Sequence, residues 1–146
     1  MEKVKKSEQE WREQLTPEQY DVVRNKGTEA PFTSELNNVK DEGTFVCVAC
    51  GQPLFSSNDK FESGTGWPSF TRPVAPERVN LHKDGALGME RVEVRSSVGD
   101  SHLGHVFDDG PAPMNKRYCI NSAALRFVPV AKLEAEGYGA YRKSFE

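Results

Sequence analysis

Residues 117–130 read RYCINSAALRFVPV, and they give the clearest indication of the fold. β-Branched and aromatic residues stand here in short runs that Asn121 and Pro129 interrupt, which is typical of strands joined by tight turns. The same pattern of short runs recurs in TFVCVAC (44–50), HKDGALGMERVEVRSSV (82–98) and LGHVFD (103–108). We therefore predict a mainly β protein with a small antiparallel core over residues 43–130.

Turns and solvent-facing positions within this core are also predictable. Asp84-Gly85 predicts a hairpin turn, and DDGPAP (108–113) predicts a longer loop. MERVEVR (89–95) alternates apolar and charged residues. We therefore expect a strand there with one face in solvent.

Two helices are predicted before the core. Ser7 can cap a helix over EQEWREQL (8–15). Thr16 can cap a second one, because Pro17 follows it at the first helical position and Gln19 completes a capping box. The second helix should end near Gly27.

The chain as a whole is expected to form one domain of residues 1–146. Residues 1–42 make up a helical part and a loop, residues 43–130 the β core, and residues 131–146 a C-terminal tail or short helix. In VPVAKLEAEG (128–137), the pattern predicts a short helix that ends at Gly137.

Length, charge and composition exclude several classes of function. The chain has 146 residues, 36% of them hydrophobic, and a formal net charge of -3. Nucleic-acid-binding proteins usually carry a basic excess, and no apolar run here reaches membrane-spanning length. MEKVKKSEQEW (1–11) lacks the apolar stretch of a secretory signal. We therefore expect a cytoplasmic protein with no nucleic-acid or membrane partner.

Cys119 is the strongest candidate for a reactive group. Free cysteines are often buried structural thiols. However, residues two apart on a strand share a face, so Arg117, Cys119 and Asn121 should point the same way. A nearby guanidinium lowers the pKa of a thiol, and the thiolate is the nucleophile. The pattern therefore favours a catalytic thiol.

Two histidines and a tryptophan are candidates for the same site. His102 and His105 are three residues apart, can converge on one point, and would handle protons near neutral pH. His82 has no second histidine near it in the sequence, and we expect it at the surface. Trp67, in the stiff loop SGTGWPSF (63–70), either packs in the core or forms one wall of a small apolar pocket that suits a methyl or thioether group.

Cys47 and Cys50 form CVACG (47–51), which is typical of one half of a zinc ribbon. The chain has three cysteines, so a zinc site of four cysteines is excluded. A redox pair, two idle thiols, a mixed-ligand metal site and a zinc-ribbon-like binding module remain as interpretations. A disulfide oxidoreductase built on the pair is a further alternative, and it predicts that Cys119→Ser leaves activity intact.

Several long motifs together resemble the methionine sulfoxide reductase B family, from WREQLTPEQY (11–20) through LRFVP (125–129). They are GTEAPF (27–32), KFESGTGWPSF (60–70), GALGMERVEVR (85–95), DSHLGHVFDDGP (100–111) and RYCINSAALRF (117–127). The resemblance implies two antiparallel sheets of the β-tent or Mss4-like type with short N-terminal helices. It also implies a peptide-methionine (R)-S-oxide reductase, an oxidoreductase that repairs oxidative damage by reducing methionine R-sulfoxide in proteins or free.

The resemblance also implies roles for individual residues. Cys119 matches the nucleophile, which becomes a sulfenic acid, and Arg117 and Asn121 match active-site positions around it. His102 and His105 match histidines that hold a water and handle the sulfoxide oxygen. The position of Trp67 matches the residue that contacts the methyl group of the substrate.

Zinc is one point at which the chain departs from part of that family. Zinc-containing members carry a second CxxC just before the histidines. Here RSSVGD (95–100) has Ser96 and Gly99 at those positions. We therefore expect no structural zinc and no other cofactor.

The resolving cysteine is a second departure. Thr65 and Thr33 stand where family members carry it. Cys119 would then be reduced directly by thioredoxin or a small thiol, or be resolved by Cys47 or Cys50 after a large movement of the chain. We expect direct reduction.

Overall fold

The computed structural model of the chain describes residues 4–32, 35–85 and 90–145. It begins with two short helices, α1 Glu8–Gln14 and α2 Pro17–Asn25. Both start with the capping box that the sequence predicts, at Ser7 and at Thr16, because each hydroxyl accepts a hydrogen bond from the backbone three residues on. The second helix ends at Lys26, next to Gly27, which confirms the predicted boundary.

Nine strands follow in the described part of the chain: β1 Gly43–Cys47, β2 Pro53–Ser56, β3 Lys60–Phe61, β4 Ser69–Phe70, β5 Val79–Asp84, β6 Arg91–Ser96, β7 His102–Phe107, β8 Arg117–Ile120 and β9 Leu125–Pro129. They form a smaller sheet in the order β2-β1-β9 and a larger sheet in the order β3-β4-β8-β7-β6-β5. All pairings are antiparallel. The predicted fold class, two antiparallel sheets with short N-terminal helices, is confirmed.

The stretch over residues 117–130 belongs to both sheets. Its first strand, β8, lies inside the larger sheet, and its second, β9, lies at the edge of the smaller one. A 3-10 turn over Ser122–Ala124 joins them. Helix α2 packs against this turn and against β7, so the N-terminal part of the chain covers the strands that carry the candidate site.

An aromatic cluster fills the space between the sheets. Phe45 and Phe55 come from the smaller sheet and Phe70 from the larger one, and all three are fully buried. The ring centroids of Phe45 and Phe70 are 5.1 Å apart, and those of Phe55 and Phe70 are 4.5 Å apart. These are ordinary separations for interacting aromatic rings, which hold the two sheets at a fixed spacing.

Strand β6 differs from the prediction of a solvent-facing side. Glu93, on the face expected to be wet, is 1% exposed. Three cationic or hydrogen-bonding partners surround its carboxylate, namely Lys26, Arg95 and His102. The prediction of a wet face is therefore wrong at this position, because alternation of charge does not reveal ion pairs made inside the fold.

Two further predictions concern connections. Val79–Asp84 and Arg91–Ser96 pair as the hairpin that Asp84-Gly85 predicts, although residues 86–89 of its turn lie outside the described residues. The predicted helix before Gly137 is wrong as an α-helix: the chain makes a 3-10 turn over Val130–Lys132, and Gly137 has a φ of 89°. A second 3-10 segment follows at Gly139–Phe145.

Among the described residues, no helix combines the length and the apolar character needed to cross a membrane.

Candidate active site

Cys119 lies in the middle of the larger sheet. Its cross-strand neighbours are Ser69 on β4 and His105 on β7. The partly exposed thiol borders a cavity of about 260 Å³, which Trp67 and Arg117 also line. The strand register thus sets an imidazole directly opposite the candidate nucleophile.

The electrostatic environment of Cys119 contains opposing influences. Burial raises the pKa of the thiol, while the Arg117 guanidinium and the Thr65 hydroxyl act to lower it. Burial prevails, so the pKa of Cys119 lies above that of an ordinary thiol. Arg117 lowers the pKa of the Cys119 thiol, as its sequence position suggests. Because burial has the larger effect, resting Cys119 is a protonated thiol that needs a base.

Arg117 is held at the rim of the cavity from two sides. Its Nε and Nη2 atoms donate hydrogen bonds to the Asp109 carboxylate at 2.9 and 3.2 Å. The guanidinium also lies 4.4 Å from the centre of the Phe107 ring. This fork-to-fork pairing, together with the stacked ring, fixes the positive charge near the Cys119 thiol.

A buried carboxylate orients His105. Its Nε2 lies 2.8 Å from Asp84 Oδ2 at the end of β5, and the carboxylate is 8% exposed. Arg91 Nη2 is 3.5 Å from the same oxygen. A fixed hydrogen bond at one ring nitrogen leaves the other available for proton transfer, which is how carboxylate–imidazole pairs act in many active sites.

His102 lies behind His105 and does not line the cavity. It is 3% exposed, and its Nδ1 is 2.6 Å from Glu93 Oε2. The two imidazole rings meet edge to face with centroids 5.5 Å apart. Burial lowers the pKa of His102 even though Glu93 opposes this effect, so His102 is a buried neutral neighbour of His105.

Trp67 and Asn121 are tied together through Glu29. The indole Nε1 of Trp67 donates to the Glu29 carbonyl at 3.0 Å. The Glu29 N–H donates to Asn121 Oδ1 at 3.0 Å, and Asn121 Nδ2 donates to the Leu103 carbonyl at the same distance. Asn121 therefore connects the loop after α2 with β7, and that loop holds the tryptophan wall of the cavity.

Cys47 and Cys50 lie elsewhere, at the end of β1. Cys47 Sγ is 3.9 Å from Ser96 Oγ, and Ser96 is hydrogen-bonded to Ser101. His105, the neighbour of Cys119, stands four positions after Ser101, which corresponds to about 13 Å along an extended strand. The structure brings the pair near Ser96 and Gly99 and does not bring it to Cys119.

Sequence reasoning found the thiol, both histidines, Arg117, Asn121 and Trp67, and all but His102 line the cavity. It missed the acidic residues that position them: Glu29, Asp84, Glu93 and Asp109. Asp84 reaches His105 only through the register of β5 to β7, and Glu29 comes from the loop after α2. For Glu93 a signal existed, since it stands between Arg91 and Arg95 on one face of its strand.

The arrangement suits a reaction at a polarised bond of a small substrate. A thiol, an oriented imidazole and a fixed guanidinium meet in a cavity with an aromatic wall. The thiol supplies a nucleophile, and the imidazole can move the proton that the nucleophile releases. The indole face of Trp67 offers an apolar surface for a methyl or thioether group.

The chain was compared with known families and proteins. A SelR domain matches residues 15–129. The chain is 58% identical over 127 residues to a peptide methionine sulfoxide reductase MsrB of Hahella chejuensis, covering 87% of this chain and 91% of the relative. It is also 58% identical over 134 residues to an MsrB of Methanosarcina barkeri, covering 92% of each. An MsrB of Methanosarcina mazei is 57% identical over 126 residues, covering 86% of this chain and 90% of the relative.

Proposed function

Because this chain belongs to the SelR-domain family of peptide methionine sulfoxide reductases, we propose that it reduces methionine R-sulfoxide with Cys119 as the nucleophile. The observation that carries the assignment of Cys119 is its position opposite His105 in a cavity walled by Trp67. Family membership favours this enzyme over a zinc-ribbon-like binding module, because the matched region includes the whole site.

Activation of Cys119 is the first step of the proposed reaction. Burial keeps the thiol protonated, so a base must accept its proton as the substrate enters. His105 lies on the adjacent position of β7, and Asp84 fixes its Nε2. The other ring nitrogen of His105 is the proposed acceptor, and the imidazolium that forms is stabilised by the Asp84 carboxylate.

Oxygen transfer is the second step. The Cys119 sulfur attacks the sulfoxide sulfur, and the substrate oxygen gains negative charge and then the proton held by His105. The oxygen ends on Cys119 as a sulfenic acid, the substrate leaves as methionine, and two electrons pass from the cysteine sulfur to the methionine sulfur. His102, hydrogen-bonded to Glu93 behind His105, is proposed to support this proton movement.

Regeneration of Cys119 is proposed to proceed by direct attack of an external thiol, from thioredoxin or a small molecule. Thr65 is close enough to Cys119 to lower the pKa of its thiol, so this position faces the nucleophile but carries a hydroxyl. Cys47 lies at the end of β1 beside Ser96 and does not line the cavity of Cys119, which disfavours a disulfide between the two in the folded chain.

The remaining parts of the proposal concern substrate and setting. The open cavity admits a methionine sulfoxide side chain, and we propose both protein-bound and free substrates. No bound cofactor enters the mechanism, because the thiol and the imidazole supply the chemistry. We also propose a single domain in the cytoplasm that has no nucleic-acid or membrane partner.

A stereospecific assay tests the function. The full chain receives either R or S methionine sulfoxide with dithiothreitol as the reductant, and methionine is quantified. We expect turnover of the R epimer alone, with near-complete loss in Cys119→Ser. Turnover of S but not R, or full activity of Cys119→Ser, would overturn the proposal.

A further inference from the structure

Cys47 and Cys50 are held together by one tight turn. The N–H of Gly51 donates to the Cys47 carbonyl at 2.9 Å, which closes the turn around both cysteines. In such turns the Cα atoms of residues three apart lie within about 7 Å, which is the separation that a disulfide spans. The backbone turn therefore holds the two cysteines close enough for a disulfide to join them.

The two thiols shift each other's pKa in opposite directions. The Cys50 thiol donates a hydrogen bond to Cys47, and together with the backbone N–H groups of Cys50 and Ala49 it outweighs burial and lowers the pKa of Cys47 to about 6. The same contact and burial raise the pKa of Cys50. Thus one thiolate is available at neutral pH, directly beside the second sulfur.

The surroundings of this pair do not fit a structural zinc ion. Ser96 Oγ is 3.9 Å from Cys47 Sγ, and the buried Ser101 hydroxyl also acts on the Cys47 thiol and lowers its pKa. Gly99 presents no side chain, although a Cβ there would lie 3.0 Å from Cys50 Sγ. Structural zinc is held by four Cys or His ligands, and two thiols with two hydroxyls do not supply them.

Access to the two sulfur atoms is unequal. Cys47 is 1% exposed, whereas Cys50 is half-buried. Gly99 packs against Cys50 Sγ, where a Cβ would come within 3.0 Å. A reagent from solution therefore reaches Cys50 first, and Cys47 stands behind it as an internal nucleophile.

We propose that Cys47 and Cys50 form a redox-active dithiol, a modification site that a low-molecular-weight disulfide oxidises through Cys50. In the first exchange, Cys50 gives up its thiol proton to Cys47 or to solvent as its sulfur attacks the small disulfide, so that a mixed disulfide forms on Cys50 and one small thiol leaves. In the second, Cys47 attacks the Cys50 sulfur, forms the Cys47–Cys50 disulfide and releases the other thiol. Two electrons pass to the small disulfide, and the two thiol protons leave with the released thiols or to solvent.

The experiment uses the full chain carrying Cys119→Ser, so that the pair is the remaining source of thiols. The protein is equilibrated in glutathione buffers from reduced to oxidised, quenched with acid, alkylated and mapped by mass spectrometry. We expect the peptide that contains both cysteines to lose two hydrogens. Adding Cys47→Ser should leave glutathione attached to Cys50, whereas adding Cys50→Ser should leave Cys47 unmodified because it is buried.

A second measurement leaves Cys47 and Cys50 unchanged, so its result does not depend on whether the variants at these two positions fold. A short pulse of oxidised glutathione on the Cys119→Ser chain should trap the first mixed disulfide on Cys50. First modification at Cys47 would overturn the proposed order, and a pair that stays reduced in fully oxidised glutathione would overturn the proposal. Near one equivalent of zinc in chain purified without chelator would also contradict it, because the metal would occupy both sulfur atoms.

Discussion

Burial and charge act in opposite directions on the nucleophile. Cys119 lies inside the larger sheet, and burial there raises the pKa of its thiol more than Arg117 and Thr65 lower it. In the proposed mechanism the resting enzyme does not store a thiolate. It forms one when a substrate is present, which limits wasteful reaction of the resting thiol with other oxidants.

Replacing Arg117 by methionine should therefore slow thiol chemistry. Loss of the guanidinium removes an influence that lowers the pKa of Cys119, so less thiolate is present at a given pH below that pKa. We expect alkylation of Cys119 by iodoacetamide at pH 7 to be about three- to tenfold slower, with the rise in rate moved to higher pH. Arg72→Met, which removes an exposed guanidinium paired with Asp59, is the matched control; an equal change there would contradict the assignment.

Asp84→Asn tests the orientation of His105. The amide keeps the size of the side chain but cannot stabilise an imidazolium as the carboxylate does. We expect kcat/KM for the R sulfoxide to fall about 10- to 100-fold, with an unchanged fold by circular dichroism. Asp108→Asn changes an exposed carboxylate in the loop after β7, and its activity should match that of the unmodified chain. Full activity of Asp84→Asn would remove His105 from the proposed proton path.

At the scale of elements, strands β6 and β7 carry a buried ionic cluster next to the site. Glu93 is 1% exposed and meets Lys26 at 3.4 Å, Arg95 at 3.0 Å and His102 at 2.6 Å. Although burial opposes it, the hydrogen bonds from Arg95 and His102 prevail and lower the pKa of Glu93. The ionised Glu93 carboxylate therefore links the end of α2, β6 and β7. Protonation of Glu93 would weaken these links.

Glu93→Gln should lower the free energy of unfolding by about 1–3 kcal/mol at pH 7, because the amide loses the charge-assisted hydrogen bonds that the buried carboxylate accepts from Arg95 and His102. The folded pKa of Glu93 is depressed, so its contribution is present above the unfolded pKa of about 4.3 and is lost as pH falls through the folded value. Denaturant unfolding of both proteins at neutral and acidic pH should thus show a difference that shrinks with acid. An equal loss for Glu62→Gln, an exposed glutamate, or a difference that grows with acid, would contradict this role.

The sequence predicts the features that depend on residues close together in the chain. It does not predict those that depend on how distant segments pair. Ser7 and Thr16 are predictable as helix caps, because a capping box depends on a residue only three positions away. Arg117, Cys119 and Asn121 were readable as neighbours because they are two apart in one segment. The pairing of His105 with Cys119, and the burial of Asp84 and Glu93, depend on strand register, which no short stretch of residues determines.

At the scale of the whole molecule, one loop connects the N-terminal helices to the catalytic sheet. Glu29 receives a hydrogen bond from Trp67, donates one to Asn121, and accepts one from the Ala123 N–H at 2.8 Å through its side chain. These contacts join α2, the tryptophan loop and the end of β8. The site is therefore complete only when the helical part is docked on the β core.

Asn121→Ala tests this connection. It leaves the Glu29 N–H and one hydrogen bond of the Leu103 carbonyl unsatisfied, so we expect the free energy of unfolding to fall by about 1–3 kcal/mol. We also expect a higher KM for the R sulfoxide, because the Trp67 wall loses its support. Asn80→Ala, at an exposed position of β5, should change neither quantity. An unchanged KM in a less stable Asn121→Ala would assign Asn121 to folding alone.

The most direct test of the central claim is a single turnover without reductant. The full chain is mixed with excess R methionine sulfoxide, methionine is quantified, and the protein is treated with dimedone and mapped by mass spectrometry. We expect one methionine per chain and a dimedone adduct on Cys119, with neither product in Cys119→Ser. Methionine formed by Cys119→Ser, or a disulfide between Cys119 and Cys47 or Cys50 in place of the adduct, would contradict it.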